Sequence, residues 1–479
     1  VEWGIGGDRS LLIFQSSYSN NIQTNIQQVS TMNTTNPFKD HKVQHLFLLV
    51  GENPLPNYVA AMKLLDKNKK CTVYLVHTNK TDSQAEQLTR ALKNICKGKG
   101  VSLDKEKTQN NKSNAYKIYE EVYKYASAIP VHERIGLHYT GGTNTMAVHA
   151  HRAISELNSK RNDTVFSYLD ASTLEIFVDT SELEPFHRGV ELEVSLEQLF
   201  KLHNYEFQQG KQPLSQPILP GAAAEFVRIY QNEEIAKIWR RWSNTHLDRN
   251  SGELKNAIDS NTGRWKSEDD LSKLLLNLSS IHPDFIDVLV NHLDASRAMN
   301  KLALNETKKK GFKNCQQICQ WLGGIWLEHY VLNQIQEITK DEKYSYLNIG
   351  ESQMNFEMLI KKKTTHDYVK FEFDVAFMRN YQLFAISCTT SKDPKECKLK
   401  LFEAYIRAKQ LGGDEARVAL VCCCDHKDDP SKQNRIDRYL KRQLETATDN
   451  PKIAVFVRTD LPDLKTKIAT WVKDNKGQS

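Results

Sequence analysis

Two parts of the sequence combine residue types that could do chemistry. One is Lys370-Phe-Glu372-Phe-Asp374-Val-Ala-Phe-Met378, which a tight turn at Arg379-Asn380 joins to Tyr381-Gln-Leu-Phe-Ala-Ile386. Side chains alternate along a strand, so Glu372 and Asp374 share a face. Carboxylates with a cation nearby are what a bound Mg²⁺ or Mn²⁺ needs to direct water at a phosphodiester. The other part is a set of polar turns: Gly51-Glu-Asn53-Pro54, His77-Thr78-Asn79 and Tyr139-Thr140-Gly141-Gly142-Thr143-Asn144. Paired glycines let backbone amides approach a ligand, and Thr140, Thr143 and Asn144 add hydroxyl and amide groups. A helix opening at Asn144 favours an anion. Gly-Gly also makes an ordinary tight turn, but three polar turns on one sheet edge favour ligand binding.

The elements that must position these residues are legible as periodicity. Val43–Val50, Cys71–Val76 and Arg134–Tyr139 read as buried strands, each followed by one of the polar turns. Helices are expected over 57–66, 82–96, 114–126 and 144–157, with a hairpin-like pair at 165–169 and 174–178. Short apolar strands alternating with amphipathic helices imply βαβ units and a largely parallel, doubly wound sheet. Ligands of such sheets sit beyond the carboxyl ends of the strands, where these turns lie. Residues 1–40 form a polar lead-in and 41–184 the first domain. Residues 185–311 lose the strand signal and read as a Pro-marked linker and helical connector. From 312 a second α/β pattern begins: a long helix Cys315–Thr339, strands near 354–361, 368–378, 381–389, 417–424 and 452–457, and a helix over 394–410.

Composition bounds the rest. The chain has 479 residues, 39 % hydrophobic and 26 % charged, which excludes a wholly disordered protein. The longest apolar runs fall far short of the ~18 residues a membrane helix needs. Leu11–Phe14 is too short for a signal-peptide core, which suits a cytoplasmic protein. Net charge is only +6, which permits a polyanionic partner without demanding one. Nine cysteines, three of them adjacent (Cys422, Cys423, Cys424), read as reduced thiols. Neighbours on a strand face opposite ways, so the triplet is not expected to converge on one metal, and a zinc protein is not expected. GxxxxGK[ST] is absent, and no GxGxxG follows the first strand; neither an ATPase nor a dinucleotide dehydrogenase is supported.

Asn53-Pro-Leu-Pro56 together with Tyr139-Thr-Gly-Gly-Thr-Asn-Thr-Met146 resembles the CARF domain, the CRISPR-associated Rossmann fold. The resemblance covers about 41–180. It implies a homodimeric sensor of cyclic oligoadenylate, commonly the tetra-adenylate, with ligand contacts from Asn53, Thr78, Thr140, Gly141, Gly142, Thr143 and Asn144.

The stretch 320–424 resembles the nuclease half of CARF nucleases, ancillary effectors of type III CRISPR systems. The resemblance rests on Trp321-Leu-Gly-Gly-Ile-Trp-Leu-Glu328, Phe373-Asp374-Val375, Leu383-Phe-Ala-Ile-Ser-Cys-Thr389, Cys397-Lys-Leu-Lys-Leu-Phe-Glu403 and Gln410-Leu-Gly-Gly-Asp-Glu-Ala-Arg-Val-Ala-Leu420. It implies an α/β protein with an N-terminal Rossmann-like CARF domain, a helical connector and a C-terminal restriction-endonuclease-like (PD-(D/E)xK) domain over 312–479. Where that pattern has Glu-x-Lys, this chain has Ser387-Cys388-Thr389-Thr390. The replacements expected are Lys398 for the lysine and Glu403 or Glu328 for the carboxylate, with Asp374, Glu328 and Glu403 as metal ligands. Plain alternatives are a solvated Lys398 and an ordinary i, i+4 pair of Glu403 with Arg407. Between Leu359 and Gln410, eleven Lys and Arg face six Asp and Glu, which suits a DNA or RNA backbone. The rival readings are a CARF sensor whose C-terminal domain only binds nucleic acid or protein, and a ring nuclease degrading the messenger in the CARF pocket.

Overall fold

The computed structural model describes residues 36–103, 114–158, 161, 163–179, 186–207, 212–247, 253–254, 267–361, 368–425, 435–448 and 453–475. Residues 1–42 are a unit of their own, in which a short turn at Lys39–His41 is described. The second unit, 43–479, carries two large sheets.

The first sheet comprises β1 (His45–Leu49), β2 (Thr72–His77), β3 (Lys97–Ser102), β4 (Ile135–His138), β5 (Val165–Asp170), β6 (Glu175–Val178) and β7 (Phe186–Gly189), in the order β3-β2-β1-β4-β5-β6-β7. β3, β2, β1, β4 and β5 are parallel; β6 and β7 run antiparallel. Every residue of β1 and β4 is buried, as leucine-rich strands covered on both faces must be. The crossovers are helices α1 (Leu55–Leu64), α2 (Asp82–Leu92), α3 (Ala115–Ser127) and α4 (Asn144–Asn158). The alternating sequence pattern thus gives the parallel, Rossmann-like sheet it implies. Strand order reverses between β1 and β4, so the turns after these two strands flank the switch-point crevice. Strand β3 escaped the periodicity because Lys-Gly-Lys-Gly offers no apolar alternation; it is an edge strand whose exposed lysines discourage edge-to-edge pairing.

The stretch 185–320, expected to lack strands, contains β7 and three more short ones: β8 (Tyr205–Phe207), β9 (Leu275–Asn277) and β10 (Lys301–Ala303). At three to four residues each, they are too brief for an alternation signal. β8 joins the second sheet, whose order is β15-β14-β13-β12-β11-β8. Its other strands are β11 (Ile349–Lys361), β12 (Tyr368–Arg379), β13 (Gln382–Thr389), β14 (Arg417–Cys422) and β15 (Ile453–Phe456). β11, β12 and β13 form an antiparallel meander, and β13, β14 and β15 are parallel.

Helices α5 (Leu196–Leu202), α6 (Pro220–Tyr230), α7 (Glu233–His246), α8 (Pro283–Leu293), α9 (Cys315–Gln320), α10 (Trp326–Lys340), α11 (Pro394–Gly412), α12 (Ile436–Thr448) and α13 (Leu464–Asp474) follow among the described residues, with two five-residue helices at Glu268–Ser272 and Leu304–Lys308. The helices read as a connector share one core with the second sheet: Phe226, Trp239, Phe285, Trp321 and Trp326 continue into Val375, Phe377, Phe384 and Val421. Phe226 is its hub, 4.8 Å from Trp239, 5.0 Å from Phe285 and 5.3 Å from Trp326 between ring centroids. The long helix expected over 315–339 is interrupted. A widened turn at Trp321–Ile325 separates α9 from α10, with Gly324 at φ +153°, a conformation side chains resist. No described helix is long and apolar enough to cross a membrane.

Candidate functional site

The turns after β1 and β4 pack against each other. A Cβ at Gly141 would collide with the Leu49 carbonyl, and one at Gly51 would sit 3.1 Å from the Gly142 amide nitrogen. Gly142 itself has φ +77°, so both glycines of the pair are required by geometry. Asn57, fully buried on α1, donates to the Leu49 carbonyl at 2.9 Å and pins the same corner. Thr143 Oγ1 accepts from the Met146 amide at 3.2 Å and caps α4. Gly142, Thr143 and Asn144 are exposed at the mouth of the crevice.

The other residues expected there have local duties. Thr140 Oγ1 accepts from the Leu169 amide at 2.6 Å and ties its turn to β5. Thr78 is buried, its amide donating to Thr81 Oγ1 at 3.2 Å. Asn53 Oδ1 accepts from the Leu55 amide at 3.0 Å at the start of α1. The structure therefore gathers Gly141, Gly142, Thr143 and Asn144 into one open rim, with Thr78 buried outside it.

The second cluster lies at the end of the β12–β13 ladder. Pairing runs from Arg379↔Gln382 to Val375↔Ile386. One residue further on, Asp374 Oδ2 accepts from Ser387 Oγ at 2.8 Å and from the Cys388 amide at 2.7 Å. Two donors on one oxygen fix the carboxylate where the strands part. The side chain of Glu372 lies outside the described residues. Lys400 on α11 faces this point. The charge of Asp374 raises its pKa above the ordinary lysine value, against burial, with further help from Glu328 and Glu403. Glu328 on α10 and Lys400 line one cleft of about 740 Å³ with Gly323, Gly324, Cys388, Thr389 and Thr390. The widened turn packs tightly against this wall: a Cβ at Gly324 would come within 2.9 Å of Thr390 Oγ1. Such turns are common at functional sites.

The structure departs from the expected lysine. Lys398 Nζ donates to Gln443 Oε1 on α12 at 2.8 Å and lies over the Phe402 ring, away from Asp374. The lysine whose charge is coupled to Asp374 is Lys400. On a helix advancing about 100° per residue, positions 398 and 400 fall about 80° to either side of the stripe formed by Cys397, Leu401, Ala404 and Ala408. Only the tertiary packing decides which flank meets the sheet. Glu403 is exposed, 3.7 Å from Arg407, and does not line the cleft. Asp374, Glu328 and Glu403 do not bring three ligand atoms together. Among the described residues, the one such convergence within 4.8 Å is Cys397, Cys422 and Cys424. The triplet itself does not converge, as alternation requires: Cys422 and Cys424, two apart, share a face with Cys397, while Cys423 packs in the core. Asp374 and Glu328 remain a pair of hard oxygen donors beside one lysine, which suits an ion that keeps most of its water.

Residues 46–193 match the family described as the Card1 CARF domain. This part of the chain is a CARF domain. No curated protein matches the chain. Among solved structures, protein VC1899 from Vibrio cholerae is similar at a TM-score of 0.64 and 16 % identity, covering 91 % of this chain and 99 % of that one. Can2 from Sulfobacillus thermosulfidooxidans, in complex with cyclic tetra-adenylate, is similar at 0.57 and 14 %, covering 91 % and 99 %. At these identities the likeness shows the fold, and it extends well beyond the CARF domain. The CARF rim and the cleft are joined by one element. Asn53, in the first CARF turn, packs so closely on Gly413, just after α11, that a Cβ at Gly413 would collide with its amide. The helix that ends on a CARF turn is the one that carries Lys400.

Proposed function

We propose that the protein is an endonuclease activated by cyclic oligoadenylate, the tetra-adenylate ring by preference, acting as a cytoplasmic homodimer in type III CRISPR defence. The CARF domain and the fold shared with Can2 support the sensor half of this reading. Ring phosphates suit the exposed turn at Gly142 and the amino end of α4, with Thr143 and Asn144 offering polar contacts. A two-fold ring suits a two-fold pair of CARF domains.

The convergence of Asp374 and Glu328 on Lys400 beside an open cleft carries the enzymatic half. It is the arrangement a restriction-endonuclease-like domain needs, with the lysine supplied from α11 instead of β13. Asp374 and Glu328 would hold Mg²⁺ or Mn²⁺, which supplies Lewis acidity and an activated water. Asp374 is kept in place by the Ser387 hydroxyl and Cys388 amide. Lys400, its pKa raised, stays protonated at neutral pH and meets negative charge as it develops on the phosphate. Ser387 and Thr389, where the Glu-x-Lys pattern has ionisable groups, favour a second reading in which the cleft binds DNA or RNA without cutting it.

Plasmid DNA and single-stranded RNA incubated with Mn²⁺ and cyclic tetra-adenylate separate the two. The first reading expects ring-dependent cutting that falls at least about 10³-fold in Asp374→Ala, the loss of several kcal/mol of transition-state stabilisation. Ring binding with no cutting of either substrate supports the second.

A further inference from the structure

Three of the nine cysteines meet at one point that the proposed chemistry does not use. Cys397 lies in the first half of α11, Cys422 ends β14, and Cys424 follows two residues later on the same face. All three are fully buried, and their sulfurs lie within 4.8 Å of one another. Cys397 Sγ and Cys424 Sγ are 3.1 Å apart. The Ser391 carbonyl oxygen stands 3.7 Å from the first and 4.0 Å from the second.

From this geometry we propose that Cys397, Cys422 and Cys424 form a structural binding site for one soft, thiophilic cation such as Zn²⁺, separate from the hard-ion chemistry at Asp374. Metal–sulfur bonds of about 2.3 Å set three thiolates around one ion about 3.8–4.0 Å apart, so the cluster needs adjustments of under about one ångström. Three sulfurs select a soft ion over Mg²⁺ or Mn²⁺. The Ser391 carbonyl, or a water, is available as a fourth, neutral ligand.

The same tripeptide contains its own contrast. Cys423, on the opposite face, packs in the apolar core, where burial pushes its thiol up to about 12. Cys315 and Cys319 belong to no such three-ligand group among the described residues, and their thiols are likewise pushed up to about 12 by burial. An ion at the trithiol site would bolt the start of α11 to the end of β14, one helical turn before Lys400. It would thereby fix the position of Lys400 relative to Asp374.

The test uses the full chain, stripped of metal by a chelator under reducing conditions and titrated with Cd²⁺. The expected result is a near-ultraviolet thiolate-to-metal absorption that saturates at one ion per chain, with a rise in melting temperature. Excess Mg²⁺ should not suppress it, and Asp374→Ala should retain it. Cys397→Ser, Cys422→Ser and Cys424→Ser should each weaken Cd²⁺ binding by at least about tenfold, while Cys423→Ser keeps the band. Absence of the band in the unmodified protein would overturn the proposal whatever the variants do. A band unchanged in Cys397→Ser, or a Cys397–Cys424 disulfide found by mass in the non-reduced protein, would overturn it too.

Discussion

The CARF rim and the C-terminal cleft are both built where strands end, yet from opposite materials. The rim is made of glycines, threonines and an asparagine: Gly141 and Gly142 are required by close backbone approach, and Thr140 and Thr143 tie the turn to β5 and α4. The cleft carries opposed charges, Glu328 and Lys400, among small and polar residues, with Asp374 electrostatically coupled to Lys400 from the neighbouring strand. Backbone amides hold an anion without changing protonation, which suits recognition. Opposed charges in a cleft suit work on a phosphate. The comparison teaches that the two regions should fail differently. Damage to the rim should remove control; damage to the cleft should remove turnover.

The sharpest way to break the comparison is at α11. Lys400→Ala should lower ring-stimulated cutting by about 10²–10³-fold, the range for losing one preorganised charge partner. Lys398→Ala should stay within about threefold, since its ammonium is engaged by Gln443. Single-turnover rates at saturating ring measure both; equal losses would contradict the assignment of Lys400. Gly141→Ala should act on the other side. The added methyl collides with the Leu49 carbonyl at a strain of about 1–3 kcal/mol. Calorimetric binding of cyclic tetra-adenylate should weaken about 5- to 150-fold, while metal-dependent cutting without ring is unchanged.

Acid should affect both regions alike. His138 in the CARF domain and His329 in the C-terminal core are fully buried, and burial lowers each to about 3. An unfolded histidine titrates near about 6.5, so between about 6.5 and 3 the unfolded chain binds more protons. The neutral buried form therefore contributes stability that is complete above about pH 6.5 and is lost as pH falls. At pH 5 each loss is on the order of 2 kcal/mol. His138→Gln should flatten the denaturant midpoint against pH for the CARF domain by amide exchange. His329→Gln should do so for tryptophan fluorescence, because six of the seven tryptophans lie at 239 or beyond. A smaller effect than those of Lys400→Ala and Gly141→Ala is expected at the joint. Asn53→Ala removes the amide packed on Gly413 and should alter ring stimulation about fivefold, a coupling of about 1 kcal/mol, with ring affinity nearly unchanged.

Much of this was legible in the residues. Leu46–Leu49 announced a buried parallel strand, and Gly141-Gly142 a tight turn, which the structure packs against the Leu49 carbonyl. Asp374 stood out as an acid within an otherwise apolar strand run, and the structure holds its carboxylate with the Ser387 hydroxyl and the Cys388 amide. What stayed hidden was hidden for physical reasons. Lys398 and Lys400 flank the same buried stripe symmetrically, so the sequence could not say which meets the sheet. The trithiol group joins a helix to a strand end 25 residues away, a contact that local periodicity cannot report. Strand β3 is held by its neighbour β2, and its own lysines and glycines conceal it.

The central claim is that ring bound at the CARF rim controls hydrolysis at Asp374 and Lys400. It is tested most directly by measuring cutting rate and ring binding against cyclic tetra-adenylate concentration on the same Mn²⁺-loaded preparation, beside Asp374→Ala. The account predicts that the rate half-saturates where binding does, and that Asp374→Ala binds ring equally well and does not cut. Cutting that ignores the ring, or that survives in Asp374→Ala, would contradict it.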